Sequence, residues 1–342
     1  MRGLYTERIV SGKIPFGQLV REILPHGYRE SLVQEDSGAG VPRQARKTDP
    51  EGGAGRFPDI LAEQFCDDGE GETNHYNVYK ITAEGKCYVL KKSDDTEIGV
   101  YKRFLKGQGL PAPDYFGSAR WGGSPWILIE YVPGTDLRDY TPDMAIACAE
   151  SISRIMNRYW QGDEAEFAQG RQDGRFDRYW KRINKRAECL KEEPVLKEAY
   201  DCFLERQLTC PRTLSNGDFL QFNAIFRDGK VTLVDWAFGG IMPYSLDIAR
   251  MIAHGTEDRR TFPFYMTRAH KEQFVHRTYE LLERRPEYDR YLADIRLAVV
   301  NEYVEFIESS LLDKSQARDE VFDYYYTHAL ALAAEILHEK GM

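Results

Sequence analysis

The sequence predicts an α+β chain with two lobes, a small β-rich lobe followed by a larger helical one. A length of 342 residues suits two domains or one two-lobed unit. Between residues 59 and 132 the chain alternates apolar and polar residues, which is typical of strands. From residue 133 onward apolar residues recur at helical spacing, and a hydrophobic content of 42% is enough for a sizeable core.

The first 58 residues form a predicted N-terminal extension whose role the sequence does not indicate. Residues 36–56, which read DSGAGVPRQARKTDPEGGAGR, are rich in glycine and polar residues and predict a flexible loop. The opening segment MRGLYTERIVSGKIPFGQ carries charges and has no apolar core of the kind found in signal peptides. We therefore expect no secretion signal in it.

The β-rich lobe, residues 59–132, contains a predicted hairpin. Residues 76–81 alternate, residues 83–86 make a polar turn, and residues 87–90 make the second strand. Residues 96–106 then carry apolar side chains on one helical face. Further strands are predicted at residues 115–117 and 126–131, with a fifth near residues 60–65.

The helical lobe covers residues 133–342. Its first helix shows a stripe of apolar residues at 3.6-residue period, formed by Cys148, Ile152, Ile155, Met156 and Tyr159. Other helices are predicted at residues 176–190, 194–208, 246–255, 267–284, 287–311 and 316–340.

The composition excludes several classes of partner. The net charge of −9 makes nucleic acid an unexpected partner, because binding to phosphate backbones needs a basic face. No apolar run reaches the roughly 18 residues that span a membrane. The six cysteines contain no CxxC pair and the seven histidines are dispersed, so the sequence predicts reduced thiols, a cytoplasmic location and no zinc site.

The chemistry is concentrated in residues 214–248, LSNGDFLQFNAIFRDGKVTLVDWAFGGIMPYSLDI. Asp218 is followed five positions later by Asn223, and Asp235 follows a β-like run. This is the spacing of a catalytic aspartate and two metal-binding residues in kinases, where phosphoryl transfer depends on positioning and charge neutralisation. The alternative is ordinary turn chemistry, since Asn-Gly-Asp is common in turns.

This segment resembles the aminoglycoside phosphotransferase and choline kinase family, whose signature reads His-Gly-Asp, four residues, Asn, then Ile/Val-Asp-Trp. The match here is Asn216-Gly217-Asp218, Asn223 and Val234-Asp235-Trp236, with Asn216 in place of the usual histidine. The resemblance implies a protein-kinase-like fold that uses ATP and Mg²⁺. It also implies that Asp218 is the catalytic base and that Asn223 and Asp235 bind the metal.

The same resemblance extends to the β-rich lobe. Lys91, at the end of a strand, is expected to hold the ATP phosphates and to pair with Glu97 on the next helix. Adjacent Lys92 would face the other side of the strand. The run from Glu130 to Val132 falls where the family binds adenine, largely through backbone groups. A glycine-containing turn at residues 69–74 either covers the phosphates or is a plain hairpin turn.

The acceptor is expected to bind in the helical lobe, facing Asp218. The candidate acids are Glu257, Asp258, Glu302, Glu305 and Glu308, and the last three share a helix face by i, i+3 spacing. Residues 324–326 and 262–265 are aromatic-rich candidates for stacking on the acceptor, or else parts of the core. Asp247 is interpreted as a structural residue in the first turn of a helix.

The sequence therefore predicts an ATP- and Mg²⁺-dependent kinase that phosphorylates a hydroxyl of a small molecule. An aminoglycoside antibiotic is the first acceptor expected, which would make this a resistance enzyme. Choline, homoserine, methylthioribose or another small alcohol is the alternative. A second hypothesis, suggested by Asn216 and the N-terminal extension, is a pseudokinase that binds nucleotide and acts as a regulatory module.

Overall fold

The structure, a computed structural model, describes residues 5–8, 61–68, 73–83, 85–162, 166–167, 174–258, 264–313, 318–339 and 341. The chain divides into two compact units. The sheet unit comprises residues 1–107 and 113–131, and the helical unit comprises residues 108–112 and 132–342. The predicted loop at residues 36–56 lies outside the described residues, as do residues 69–72 of the predicted glycine-containing turn.

The sheet unit contains an antiparallel sheet with the strand order β1-β2-β3-β4-β6-β5. The hairpin predicted from the alternation is confirmed, because Val78 pairs with Lys91 and Ala83 with Lys86. Alternation places Tyr79, Ile81 and other apolar residues on one buried face. Its strands within the described residues are Tyr5–Arg8 (β1), Leu61–Asp68 (β2), Thr73–Ala83 (β3), Lys86–Lys92 (β4), Tyr115–Trp121 (β5) and Ser124–Glu130 (β6).

The predicted helix at residues 96–106 is present in two parts. It begins as α1 (Asp95–Val100), where the side chain of Asp94 caps the first turn by accepting a hydrogen bond from the backbone N–H of Glu97 at 2.8 Å. It then continues as a π-helical turn, Tyr101–Leu105. Sequence periodicity does not distinguish these two helix types.

The helical unit confirms the helices predicted from periodicity. The apolar stripe from Cys148 to Met156 is buried on α2, which begins with Thr141 as its cap and Pro142 in the first turn. The helices are Pro142–Tyr159 (α2), Arg175–Arg186 (α3), Pro194–Thr209 (α4), Ser245–Ala253 (α5), Arg268–Leu281 (α6), Tyr288–Leu312 (α7) and Glu320–Glu339 (α8). None of the described helices is both long enough and apolar enough to cross a membrane.

Two small antiparallel sheets position the loops that carry the sequence motif. The strands are Thr135–Asp136 (β7), Arg212–Ser215 (β8), Ala224–Arg227 (β9), Lys230–Leu233 (β10) and Gly240–Pro243 (β11). Pairing of β8 with β11 and of β9 with β10 brings the β8–β9 loop, residues 216–223, beside the β10–β11 loop, residues 234–239. A backbone hydrogen bond from Val234 N to Asn223 O, 2.9 Å long, joins the two loops.

Candidate active site

The β8–β9 loop turns sharply at a glycine immediately before Asp218. Gly217 has φ +78°, a left-handed backbone conformation that residues other than glycine rarely adopt. A Cβ atom at this position would also collide with the backbone carbonyl of Phe238 on the β10–β11 loop. The close approach of the two loops therefore requires glycine here, and it fixes where Asp218 emerges.

Asp247, in the first turn of α5, holds the beginning of this loop. Its Oδ1 accepts hydrogen bonds from Ser215 Oγ at 2.7 Å and Gly217 N at 3.0 Å, and its Oδ2 accepts one from Asn216 N at 2.7 Å. Burial raises the pKa of Asp247 to about 6, although these donors oppose the rise. The prediction of a structural role for Asp247 is confirmed.

Asn216 connects the two loops. Its side chain is fully buried, and its Nδ2 donates to Val234 O at 3.1 Å and to Asp235 O at 3.2 Å. Its Oδ1 accepts from Asp218 N at 3.2 Å. The amide therefore spans from the backbone of one aspartate to that of the other, which is a bracing geometry.

Asp218 is held by hydrogen bonds to both of its carboxylate oxygens. Oδ1 accepts from Arg250 Nη2 at 2.8 Å and from Arg250 Nε at 3.1 Å. Oδ2 accepts from Asn223 Nδ2 at 3.0 Å, and the same nitrogen donates to Asp218 O at 2.8 Å. The carboxylate is thus fixed in orientation by one cation and one amide.

Asn223 and Asp235 place oxygen ligands near the point where the loops meet. Because the side-chain nitrogen of Asn223 is used by Asp218, its oxygen is the atom that remains for a cation. Asp235 has φ +54°, a conformation that aspartate tolerates better than most residues. An amide oxygen and a carboxylate are suitable ligands for Mg²⁺, which usually completes its shell with water and substrate phosphates.

No group of three or more His, Cys, Asp and Glu side chains suited to a metal ion occurs in the part of the chain that the structure describes. A cation held by Asn223 and Asp235 would need further oxygen ligands, which water or a phosphate group can supply to Mg²⁺.

In the sheet unit, Lys91 and Glu97 form the predicted ion pair. Lys91 Nζ lies 3.1 Å from Glu97 Oε1, and Glu97 Oε2 accepts a hydrogen bond from Ser93 Oγ at 2.6 Å. Glu97 is only 1% exposed, so the pair is shielded from water. Lys92 is exposed on the strand, which distinguishes the two adjacent lysines.

Glu130 and Val132 lie at the end of β6 and just beyond it. The Glu130 side chain is exposed, and its Oε2 accepts a hydrogen bond from Asp114 N at 3.2 Å, while Val132 is partly buried. Adenine binding by the backbone of these residues stays a prediction.

Comparison with known proteins identifies the family of this chain. The sequence model of the phosphotransferase enzyme family called APH matches residues 68–292, which are 225 of the 342 residues. The chain belongs to this family. It is a phosphotransferase, and more narrowly a small-molecule kinase, as the motif predicted.

Three solved kinases illustrate the fold of this phosphotransferase. Choline kinase from Cryptosporidium parvum has a TM-score of 0.52 and 13% identity, with 82% of this chain and 91% of that chain covered. Amicoumacin kinase hAmiN, in complex with AMP-PNP, Ca²⁺ and Ami, has a TM-score of 0.51 and 13% identity, with 94% and 96% covered. Ethanolamine kinase from Plasmodium vivax has a TM-score of 0.50 and 13% identity, with 80% and 81% covered.

At such identity the likeness shows the fold alone, and it confirms the predicted α+β, kinase-like class. No curated protein sequence matches the chain.

Asp218 lies at the wall of a pocket in the helical unit of the phosphotransferase. The pocket has a volume of about 120 Å³, and its charged lining includes Asp218, Arg182, Arg250, Glu302 and Glu305. The aromatic side chains of Tyr179 and Phe238 also line it. An acceptor bound here would have its hydroxyl beside the Asp218 carboxylate.

Arg250 contacts three acids of this pocket, and its role was not predicted from the sequence. Besides its two bonds to Asp218, its Nη1 donates to Glu302 Oε2 at 2.7 Å and to Glu305 Oε1 at 3.4 Å. Burial alone would raise the pKa of Glu302, but Arg250 and His254 lower it to about 2. A lone arginine in the apolar helix segment Ile248–Ile252 was the available signal, because a buried cation needs acidic partners.

His254 extends the network into the core. Its Nε2 lies 3.2 Å from Glu302 Oε2 and its Nδ1 lies 2.9 Å from the hydroxyl of Tyr325. Burial lowers the pKa of His254, which favours the neutral ring. A neutral ring satisfies both contacts if Nε2–H donates to Glu302 and Nδ1 accepts from Tyr325.

The predicted acceptor residues divide into two sets. Glu302 and Glu305 line the pocket, whereas Glu308 is absent from its lining and accepts a hydrogen bond from Arg186 Nε at 2.9 Å. The other candidates have different contacts and are absent from the pocket lining. Glu257 accepts a hydrogen bond from Arg268 N, and Asp258 N donates one to Thr256. Tyr325 and Tyr326 form hydrogen bonds with His254 and Glu193, respectively. The rings of Tyr324 and Phe264 pack against those of His328 and Phe222, respectively. Phe262 and Pro263 lie outside the described residues.

Proposed function

We propose that this chain is an ATP- and Mg²⁺-dependent kinase that transfers the γ-phosphate to a hydroxyl of a small molecule bound in the Asp218 pocket. The observation that carries the proposal is the carboxylate of Asp218, oriented on one side by Arg250 and on the other by Asn223 at the pocket wall. A fixed carboxylate beside an acceptor hydroxyl is the positioned base that phosphoryl transfer uses.

In this proposal the proton of the acceptor hydroxyl passes to Asp218 as the hydroxyl oxygen bonds to the γ-phosphorus. The bond between that phosphorus and the β,γ-bridging oxygen breaks, and ADP leaves. Bound Mg²⁺ would neutralise the phosphate charge, and the oxygen of Asn223 and the carboxylate of Asp235 would hold it. Arg250 acts through Asp218 and is therefore a positioning residue.

The nucleotide-binding roles come from the family resemblance and from the sheet unit. We propose that Lys91, held by Glu97, contacts the α- and β-phosphates, and that the backbone from Glu130 to Val132 binds adenine. The amicoumacin kinase of similar fold was solved with AMP-PNP and Ca²⁺, which supports a triphosphate and a divalent cation as ligands.

The acceptor is proposed only as a class. The kinases of similar fold are named for choline, ethanolamine and amicoumacin, which differ widely in size. An aminoglycoside, with a role in antibiotic resistance, and a smaller alcohol such as choline, homoserine or methylthioribose are the acceptors that the sequence suggested. None of the six cysteines, all of which lie within the described residues, forms a disulfide, which supports the proposed cytoplasmic location.

The test is a panel of hydroxylated compounds incubated with ATP and Mg²⁺, in which ADP release is measured and the acceptor is weighed by mass spectrometry. The proposal predicts acceptor-stimulated ADP release and a mass gain of one phosphate on one compound. The matched variant Asp235→Asn should need more Mg²⁺ to reach half its maximal rate, because a charged ligand is lost.

Nucleotide binding without turnover on any acceptor would contradict the proposal and favour the pseudokinase. An unchanged Mg²⁺ titration in Asp235→Asn would contradict the metal-binding role alone.

A further inference from the structure

Helix α3 is strongly basic although the chain as a whole carries a net charge of −9. Its sequence RFDRYWKRINKR contains one acid, Asp177. The basic residues are Arg175, Arg178, Lys181, Arg182, Lys185 and Arg186. One face of this helix, at i, i+4 and i+7 spacing, presents Arg175, Tyr179 and Arg182. Tyr179 and Arg182 on this face line the Asp218 pocket.

The acids of the pocket already have cationic or hydrogen-bonding partners within the protein. Glu302 is paired with Arg250 at 2.7 Å, and Glu305 is paired with Arg186 at 2.6 Å and with Arg250 at 3.4 Å. Asp218 is paired with Arg250 at 2.8 Å. An ammonium group on the acceptor would have to compete with these guanidinium groups, which are rigid and geometrically matched to carboxylates.

Arg182 differs from Arg250, the other arginine in the pocket lining. Its side chain is exposed, and among the described residues it has no ion pair or hydrogen bond, whereas the side chain of Arg250 is 16% exposed and bonds to three acids. Phe238, which is 47% exposed, lines the same pocket. The pocket thus offers an unpaired guanidinium beside exposed aromatic surface, and this guanidinium is the charge available to a ligand.

Resting on the proposed function, we propose that the acceptor is a small hydroxyl compound that also carries a carboxylate, such as a hydroxy acid or a hydroxy amino acid. Arg182 binds the carboxylate, through the two parallel N–H groups that a guanidinium presents. The acceptor hydroxyl then lies at Asp218, and transfer proceeds with the bond changes given above. This acceptor differs from the cationic one that an acidic pocket suggests, because Asp218, Glu302 and Glu305 each already have a guanidinium partner within the protein.

The test uses four acceptors that resemble each other in size and differ in charge: glycerol, ethanolamine, glycerate and homoserine. Each is assayed with ATP and Mg²⁺ for ADP release and for a phosphorylated product. Wild-type enzyme is expected to phosphorylate glycerate or homoserine with a kcat/KM at least tenfold above that for glycerol or ethanolamine.

The variants assign the effect to Arg182. Arg182→Gln should raise KM for the carboxylate acceptor about 10- to 100-fold, the usual range for a lost charge-assisted hydrogen bond, while KM for ATP stays unchanged. Arg182→Lys should restore part of the loss, because it keeps the charge but not the paired N–H groups. The matched control is Lys181→Gln, which removes the same charge from an exposed position of α3 that does not line the pocket and should leave both KM values unchanged.

The outcomes separate the inference from the function on which it rests. Turnover of glycerol or ethanolamine but not of glycerate or homoserine keeps the kinase and overturns the carboxylate acceptor. Turnover of a carboxylate acceptor with the same KM in wild type and Arg182→Gln overturns the role of Arg182. If none of the four is phosphorylated but the broader panel yields an acceptor that lacks a carboxylate, the kinase stands and the carboxylate acceptor is overturned. If no compound of that panel is phosphorylated while Mg²⁺·AMP-PNP still raises Tm, the proposed function fails and the inference falls with it. Tm values of all variants, expected within a few degrees of wild type at these exposed positions, show that each variant is folded.

Discussion

The β8–β9 loop and the acidic face of α7 both carry carboxylates that the sequence predicts to be functional. In the loop a carboxylate contacts a residue nearby in the sequence, whereas on α7 the carboxylates contact arginines from distant parts of the chain. Asp218 and Asn223 are five residues apart and contact each other directly, so their contact could be predicted from their spacing in the sequence. Glu302, Glu305 and Glu308 share a helix face, but their partners Arg186 and Arg250 come from distant parts of the chain. A helix face shows which charges lie together, but not which charges neutralise them.

The largest expected effect follows from changing the base in the β8–β9 loop. Asp218→Asn should lower kcat by about 10²- to 10⁴-fold, because the amide accepts no proton from the acceptor. Nucleotide binding should be nearly intact, since the proposed role of Asp218 is on the acceptor. Steady-state kinetics with the acceptor found by the panel, together with calorimetric titration of AMP-PNP, measures both. A variant that keeps the wild-type kcat would show that Asp218 is not the base.

Changing Arg250 tests the connection between the two regions. Arg250→Gln should lower kcat by about 10- to 100-fold through a misplaced Asp218, and should destabilise the fold by on the order of 3 kcal/mol because Glu302 stays buried without its cation. KM for ATP should not change.

The matched control is Arg206→Gln, which breaks another arginine pair with a buried acid, Asp294. Arg206 and Arg250 have side-chain exposures of 18% and 16%, so the two losses are comparable. The control should lose stability and keep kcat. Equal losses of kcat in both variants would mean that Arg250 acts only through stability.

The acidic face of α7 predicts a specific dependence of stability on pH. Because the pKa of Glu302 is lowered to about 2 in the folded protein, its charge stabilises the fold above the ordinary glutamate pKa. That contribution is lost as the pH falls from about 4.5 toward 2. Glu302→Gln should therefore cost on the order of 3 kcal/mol at pH 7 and progressively less below pH 4.5.

Urea denaturation of wild type and Glu302→Gln at pH 7, 4.5 and 3.5 measures this difference. Glu335→Gln is the control, because Glu335 pairs with Arg296 at the surface with 66% of its side chain exposed, and its loss should cost below about 1 kcal/mol. A difference for Glu302→Gln that does not shrink with falling pH would mean that the carboxylate charge is not the stabilising feature.

The smallest effect is expected at Asn216. Asn216→Ala removes a side chain that bonds both loops and should cost about 1–3 kcal/mol, with a lower kcat through loosening of Asp218 and Asp235. Asn216→His should be tolerated, since a ring N–H can donate to the same backbone oxygens. Thermal unfolding measures the loss of stability, and the KM for the acceptor shows whether residue 216 contacts the acceptor. A large increase in acceptor KM alone in Asn216→His would indicate that residue 216 contacts the acceptor.

Features set by short stretches of chain were predictable from the sequence, and features set by distant partners were not. The hairpin of Val78 and Lys91, the helices and the pair Lys91–Glu97 all depend on nearby residues. The pairing of β1 with β2 joins Tyr5 to Cys66, about sixty residues apart in the sequence, and no local sequence pattern predicts this pairing. The contacts of Arg186 and Arg250 are hidden for the same reason.

The central claim is that Asp218 accepts the proton while phosphate is transferred to a small molecule. It is tested most directly by ³¹P NMR of ATP and Mg²⁺ with the small molecule that the panel selects. With wild-type enzyme we expect the γ-phosphate signal to decline while an equal phosphomonoester signal and ADP appear, and with Asp218→Asn we expect neither change over the same time. Phosphomonoester formed at the same rate by both proteins would contradict the assignment of Asp218. Inorganic phosphate in place of the phosphomonoester would contradict transfer to an acceptor.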